Sequence, residues 1–90
     1  MTWGSDIEIE RRNRIRLSIW AYAYELEDDP LVSDKQFDLL SYEIRPKMRT
    51  GHVVFDSFFA TEFTPHSGMW VRKHPDLEGL KRRYEALRAS

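Results

Sequence analysis

The stretch LEDDPLVSDKQF, residues 26–37, rules out one long rod and dictates two helices with a tight return between them. Pro30 drives Asp29 out of the helical region of backbone space. Ser33 followed by Gln36 has the form of a capping box, in which side chain and backbone satisfy each other's free donors at a helix start. The connection is short, so the two helices must fold back on one another as an antiparallel or steeply crossed hairpin.

The helix before the break starts from a similar signal. Ser5 with Glu8 forms a second capping box, and Asp6 adds charge that favours a helix N-terminus. Ile15, Ile19, Tyr22 and Leu26 recur at i, i+4, i+7 and i+11, and Leu17, Trp20, Ala21 and Tyr24 widen that stripe. These signals predict a helix over about 6–27 that is buried on more than one side. Glu8–Arg12 and Glu10–Arg14 have the i,i+4 spacing of surface ion pairs worth a few tenths of a kcal/mol. The second helix is expected over about 34–45, with Phe37, Leu40 and Ile44 inward and Pro46 as its stop. A third is expected over about 75–88, opened by His74 and Pro75 and carrying Leu77, Leu80, Tyr84 and Leu87. Gly79 weakens it by about 1 kcal/mol relative to alanine.

Residues 47–73 hold no clean period. HVVF reads as a short strand and DSFFATEF as a helical turn opened by Asp56, while PHSG is turn chemistry. So many large apolar residues imply an irregular, aromatic-rich flap packed onto the helices. The expected fold class is therefore mainly α, one small domain over 1–90, with at most a short β element. Ile15, Ile19, Tyr22, Leu26, Phe37, Leu40, Ile44, Leu80 and Tyr84 are the expected core.

Composition bounds the function. With 90 residues and 3 Trp, 4 Tyr and 5 Phe, one modest core is affordable. No cysteine is present, which removes disulfides, thiolate metal sites and thiol nucleophiles. No apolar run approaches a membrane span, and the N-terminus lacks the apolar stretch of a signal peptide, so the chain reads as soluble and cytoplasmic. The net charge of −1 hides a gradient. Residues 25–43 carry seven acids against Lys35 alone, whereas residues 44–90 carry nine bases against five acids. An acidic centre argues against direct nucleic-acid binding through it. His52, His66 and His74 lack metal-ligand spacing and read as surface histidines, and the acids around Pro30 do not have calcium-loop spacing. ERRNRIR and KRRYEALR read as solvated, salt-bridged helix faces. The serines lie in no nucleophile elbow.

Tyr24 to Asp38, YELEDDPLVSDKQFD, resembles the start of NAD-dependent DNA ligases. The small N-terminal helical domain of that family carries a pattern close to Tyr-(His/Tyr)-x-x-Asp-x-Pro-x-(Ile/Val)-(Ser/Pro)-Asp-x-x-Tyr-Asp. Tyr24, Asp28, Pro30, Val32, Ser33, Asp34 and Asp38 match it, and LLSYEI continues like the domain's next helix. HPDL at His74–Leu77 also looks like a family element, displaced towards the C-terminus. The likeness covers roughly a third of the chain. It implies a surface for the nicotinamide-mononucleotide half of NAD, with Tyr24, Asp34, Phe37 and Asp38 in the binding positions. Phe37 stands where the pattern has Tyr, keeping a stacking face and losing a hydroxyl. Glu25 stands where it prefers His or Tyr, adding negative charge where a phosphate would sit.

A covalent nucleotidyltransferase needs Lys-x-Asp-Gly, whose lysine attacks the α-phosphate. The lysines here lie in DKQF, PKMR, RKHP and LKRR, and none fits. The expected protein is thus no enzyme by itself. It is a small binding or effector protein on a ligase-type scaffold, acting by protein–protein contact on a partner the residues do not name, in the manner of a phage or mobile-element inhibitor. The alternative is an accessory module that binds NMN or NAD and works with a separate nucleotidyltransferase or DNA ligase.

Overall fold

The computed structural model describes residues 5–90. The chain is mainly helical: α1 Asp6–Leu26, α2 Asp34–Glu43, α3 Val53–Glu62, a 3-10 turn Met69–Lys73, and α4 Leu77–Ala89. Its radius of gyration is 12.7 Å, close to the ~12 Å of a compact chain this long. No strand occurs among the described residues. No helix among them is long and apolar enough to cross a membrane.

α1 is the central element, and α2, α4 and the 3-10 turn all pack against it. Ser5 Oγ accepts from the Glu8 N–H at its start. At its end Asp28 adopts the left-handed conformation, φ 50°, which aspartate tolerates better than most residues. The capping box of α2 is complete, because Ser33 Oγ accepts from Gln36 N–H and Gln36 Oε1 accepts from Ser33 N–H. Asp29 then ties the hairpin loop to α4. Its carboxylate accepts from the Tyr84 hydroxyl at 2.6 Å and is paired with Arg88. Those bonds, led by Arg88, hold the Asp29 carboxyl below its usual range.

The core is not quite the one the periodicity predicts. Leu17, Ala21, Tyr22, Leu40, Ile44 and Leu80 are buried, joined by Phe58, Phe59, Trp70 and Val71. Ile19, Phe37 and Tyr84 pack against that cluster half-buried. Ile15 and Leu26, both expected inside, are 40% and 37% exposed. The buried face of α1 runs instead through Glu10, Arg14, Leu17 and Ala21, which are also spaced i, i+4, i+7 and i+11. A hydrophobic count rejects that face because it begins with two charges.

Those charges are satisfied internally. Glu10 and Arg14 are 2% and 4% exposed. Arg14 Nε donates to Glu10 at 2.7 Å and Nη1 to Asp56 at 2.9 Å, while Nη2 donates to the Arg45 and Met48 carbonyls. Glu10 accepts from the Arg45 N–H, and Asp56 accepts from the Thr50 hydroxyl, Thr50 N–H and Gly51 N–H. Burial alone would raise the Asp56 carboxyl, but the Thr50 bonds and Arg14 together hold it below its usual range. This network stitches residues 45–56 onto α1. The Glu10–Arg14 pair is therefore internal rather than the surface pair its spacing suggests.

Residues 47–73 are more regular than expected. HVVF is not a strand: Val53 opens α3, and Phe58 and Phe59 point into the core. Their rings meet Trp70 at 6.1 and 5.5 Å, with Phe63 closing the cluster. The remainder of the segment does behave as a packed flap.

α4 begins at Leu77 with Asp76 as its cap, two residues later than predicted. Gly79 has a positive role there. Its N–H donates to Asp76 Oδ1, and a Cβ would lie 2.2 Å from the Asp76 carboxylate, so any side chain would push the cap away.

His74 is not a surface histidine. Its ring lies against Phe55 and Phe58, and burial pushes its pKa down to about 4 against the opposing pull of Asp76. Above pH 6.5 the ring is neutral in both folded and unfolded chains. Between pH 6.5 and about 4 only the unfolded chain takes up the proton, so stability falls as pH falls across that window. The loss should approach about 2–3 kcal/mol by pH 4, read from urea midpoints, and His74→Phe should remove most of that slope. An unchanged slope in the variant would assign the acid sensitivity elsewhere.

Candidate functional site

The hairpin leaves a cleft of about 400 Å³ between the C-terminal half of α1, the 30–32 loop, the start of α2 and the 66–69 turn. All four residues singled out by the sequence line it: Tyr24 from α1, and Asp34, Phe37 and Asp38 from α2. Pro30 sets this arrangement, since it ends α1 just after Tyr24 and lets Ser33 restart the chain with Asp34 as the first residue of α2. Asp34 and Asp38 then fall i,i+4 on one helix face, with Phe37 one step around.

The aromatic residues play unequal parts. Tyr24 is exposed and free to meet a ligand, whereas Phe37 is half-buried with one edge in the fold. A Cβ on Gly68 would lie 3.2 Å from both the Phe37 ring and Ala21, so glycine allows the 66–68 turn to close on that ring. Phe37 is thus both a core residue and a wall of the cleft.

Two further ring-bearing residues, Trp20 and His66, line the cleft and were not singled out by the sequence as site residues. Trp20 reads there only as part of a helix stripe, and His66 as a surface histidine in a turn. His66 has no local signal linking it to α2, because chain folding alone brings residue 66 to residue 37. Arg72 lies nearby, its Nη2 donating to the Glu25 carbonyl at 2.8 Å.

The charge of the cleft is one-sided. Glu25, Asp34 and Asp38 line it, and no lysine or arginine does. Arg45, the arginine that follows α2, lies at the other end of the hairpin in a loose pair with Asp6 at 3.8 Å. Among the described residues no group of three histidines, aspartates or glutamates could hold a metal ion. The site is therefore an aromatic cleft lined by three carboxylates, two of them i,i+4 on α2, suited to a planar ring and to hydroxyl or cationic groups. No family model, no curated protein and no solved structure matches this chain.

Proposed function

We propose that the protein is a non-catalytic binding module whose cleft takes the nicotinamide half of a nicotinamide nucleotide. One observation carries this reading: Tyr24, Asp34, Phe37 and Asp38, chosen by resemblance to the ligase N-terminal domain, line one cleft with Trp20 and His66. The chemistry is consistent. A nicotinamide ring in its oxidised form is a planar cation, which aromatic faces and nearby carboxylates both favour. Ribose hydroxyls are donors that Asp34 and Asp38 accept. The absence of Lys-x-Asp-Gly supports a role without covalent chemistry, with any nucleotidyl transfer supplied by a separate enzyme.

The test is calorimetry with nicotinamide mononucleotide and with its riboside. Binding should be weak, near millimolar, because no basic residue lines the cleft. The riboside should bind at least as well as the mononucleotide, since three carboxylates oppose a phosphate. Asp38→Ala should reduce binding about tenfold or more while the protein stays folded, as expected for one charge-assisted hydrogen bond worth roughly 1.5–3 kcal/mol. Absence of heat with both ligands at millimolar concentration would reject this reading.

A second reading is a protein–protein effector of the phage-inhibitor kind. It is favoured by large apolar side chains left in solvent: Leu39 and Tyr42 on α2, and Val53 and Val54 at the start of α3, with Val53 80% exposed.

A further inference from the structure

On the opposite side of α1 lies a second cleft, of about 420 Å³, between α1, the 50–55 segment and the first turn of α4. Ile15 and Ser18 line it from α1, whereas Trp20 and Tyr24 of the first cleft project roughly half a helical turn away. The outward Ile15 is explained by this cleft: it floors an open hollow rather than a closed core. Phe55 forms a second apolar wall, with the His52 ring stacked on it at 4.1 Å and 14°.

The polar groups around this hollow favour an anion. Arg14 has four of its five N–H donors committed inside the fold, but two other guanidinium groups stand at the rim. Arg11 donates one nitrogen to the Thr50 carbonyl and lies directly against Gly51, whose φ of 91° keeps the turn beneath it free of a side chain. Arg83 is exposed, and among the described residues it has no ion-pair or hydrogen-bonding partner. Against these stands one carboxylate, Asp76, already accepting from Gly79 N–H. His74 Nδ1 accepts from Asp76 N–H, which leaves the neutral ring's proton on Nε2 as a donor. Ser18, which also lines the cleft, is 1% exposed, and its Oγ has no hydrogen-bond partner. A buried hydroxyl without a partner costs stability until a hydrogen-bonding group reaches it.

We propose that this second cleft is a ligand site for a small aromatic anion, its ring against Ile15 and Phe55 and its acidic group between Arg11 and Arg83. A carboxylate and a phosphate satisfy the two guanidinium groups equally, so the shared chemistry is a planar ring with one acidic group. The site is independent of the nicotinamide reading, because the two clefts share no residue.

The test uses the intact protein and amide chemical-shift mapping with two pairs of probes. AMP against adenosine examines the phosphate, and 2-naphthoate against 2-naphthamide examines the carboxylate. At least one anion should bind saturably at low millimolar concentration, about tenfold or more tighter than its neutral partner. Its shifts should centre on Ser18, Gly51, Phe55 and Arg83 and spare Tyr24 and Asp38. The anion that binds names the acidic group. Arg83→Gln should weaken it about tenfold, and Ile15→Glu, a second exposed position, should abolish it; both variants should keep the parent's melting temperature. Three results would each overturn the proposal: no binding by either anion, equal binding by a neutral partner, or shifts confined to the Tyr24–Asp38 cleft.

Discussion

Arg14→Met is expected to destabilise the protein by about 3–5 kcal/mol, enough to unfold much of a domain of this size. The reason is that one guanidinium serves a buried carboxylate, a part-buried one and two backbone carbonyls at once. Without it, Glu10 and Asp56 face one another's neighbourhood with no cation, and the Arg45 and Met48 carbonyls lose their donor. The Arg14 guanidinium also lies 4.9 Å from the Phe59 ring centre, so its removal disturbs the aromatic cluster as well. Arg14→Lys should recover only part of the loss, because an ammonium group cannot reproduce the planar fork. Adding Asp56→Asn to Arg14→Met should recover a further part by removing one stranded charge. Denaturant unfolding of the four proteins at pH 7 measures all of this. A loss below about 1 kcal/mol for Arg14→Met would show that the network is solvated in solution, as surface pairs are.

Phe59→Ala should cost about 3–5 kcal/mol, and Ile15→Ala less than about 1 kcal/mol. Periodicity along α1 predicts the reverse order, since it assigns Ile15 to the core and residue 59 to a flap. In the fold Phe59 is 2% exposed and its ring meets Phe58, Phe63 and Trp70 at 5.4–5.7 Å. Truncating it would open a cavity that three large rings cannot collapse to fill. Ile15 already borders open space, so its truncation forfeits little burial. Equal costs would mean that α3 packs less firmly than the ring geometry indicates.

What could be read from the residues alone was governed by local chemistry. Ser5, Pro30 and the Ser33–Gln36 box act within three or four residues of themselves, and they locate the ends of α1 and α2 to within a residue or two. The choice of Tyr24, Asp34, Phe37 and Asp38 comes from the resemblance to the ligase domain, and their lining of one cleft follows from a tight hairpin that brings its two ends together. The two termini of α4 were legible to the same precision, although its cap is Asp76 rather than the His74–Pro75 pair.

Tertiary packing decided the rest, through partners that no local signal links: Arg14 meets Asp56 and Glu10 meets Arg45. α3 begins at Val53, its cap residue His52 makes no side-chain bond, and two β-branched valines open it, so Asp56 in the first turn is the one local signal for its helical state. Burial of Phe58 and Phe59 against Trp70 supplies the stabilisation that its own residues lack. Glu10 and Arg14 look like a solvent-exposed pair until Asp56 and the Arg45 and Met48 carbonyls close over them, and then the same two charges define the inward face of α1. Once that face turns in, the rigid 100° step of the helix turns Ile15 out, and with it the floor of the second cleft. Hydrophobicity per residue could not foresee this, because a charge is costly to bury only while it lacks partners, and here the partners come from distant parts of the chain.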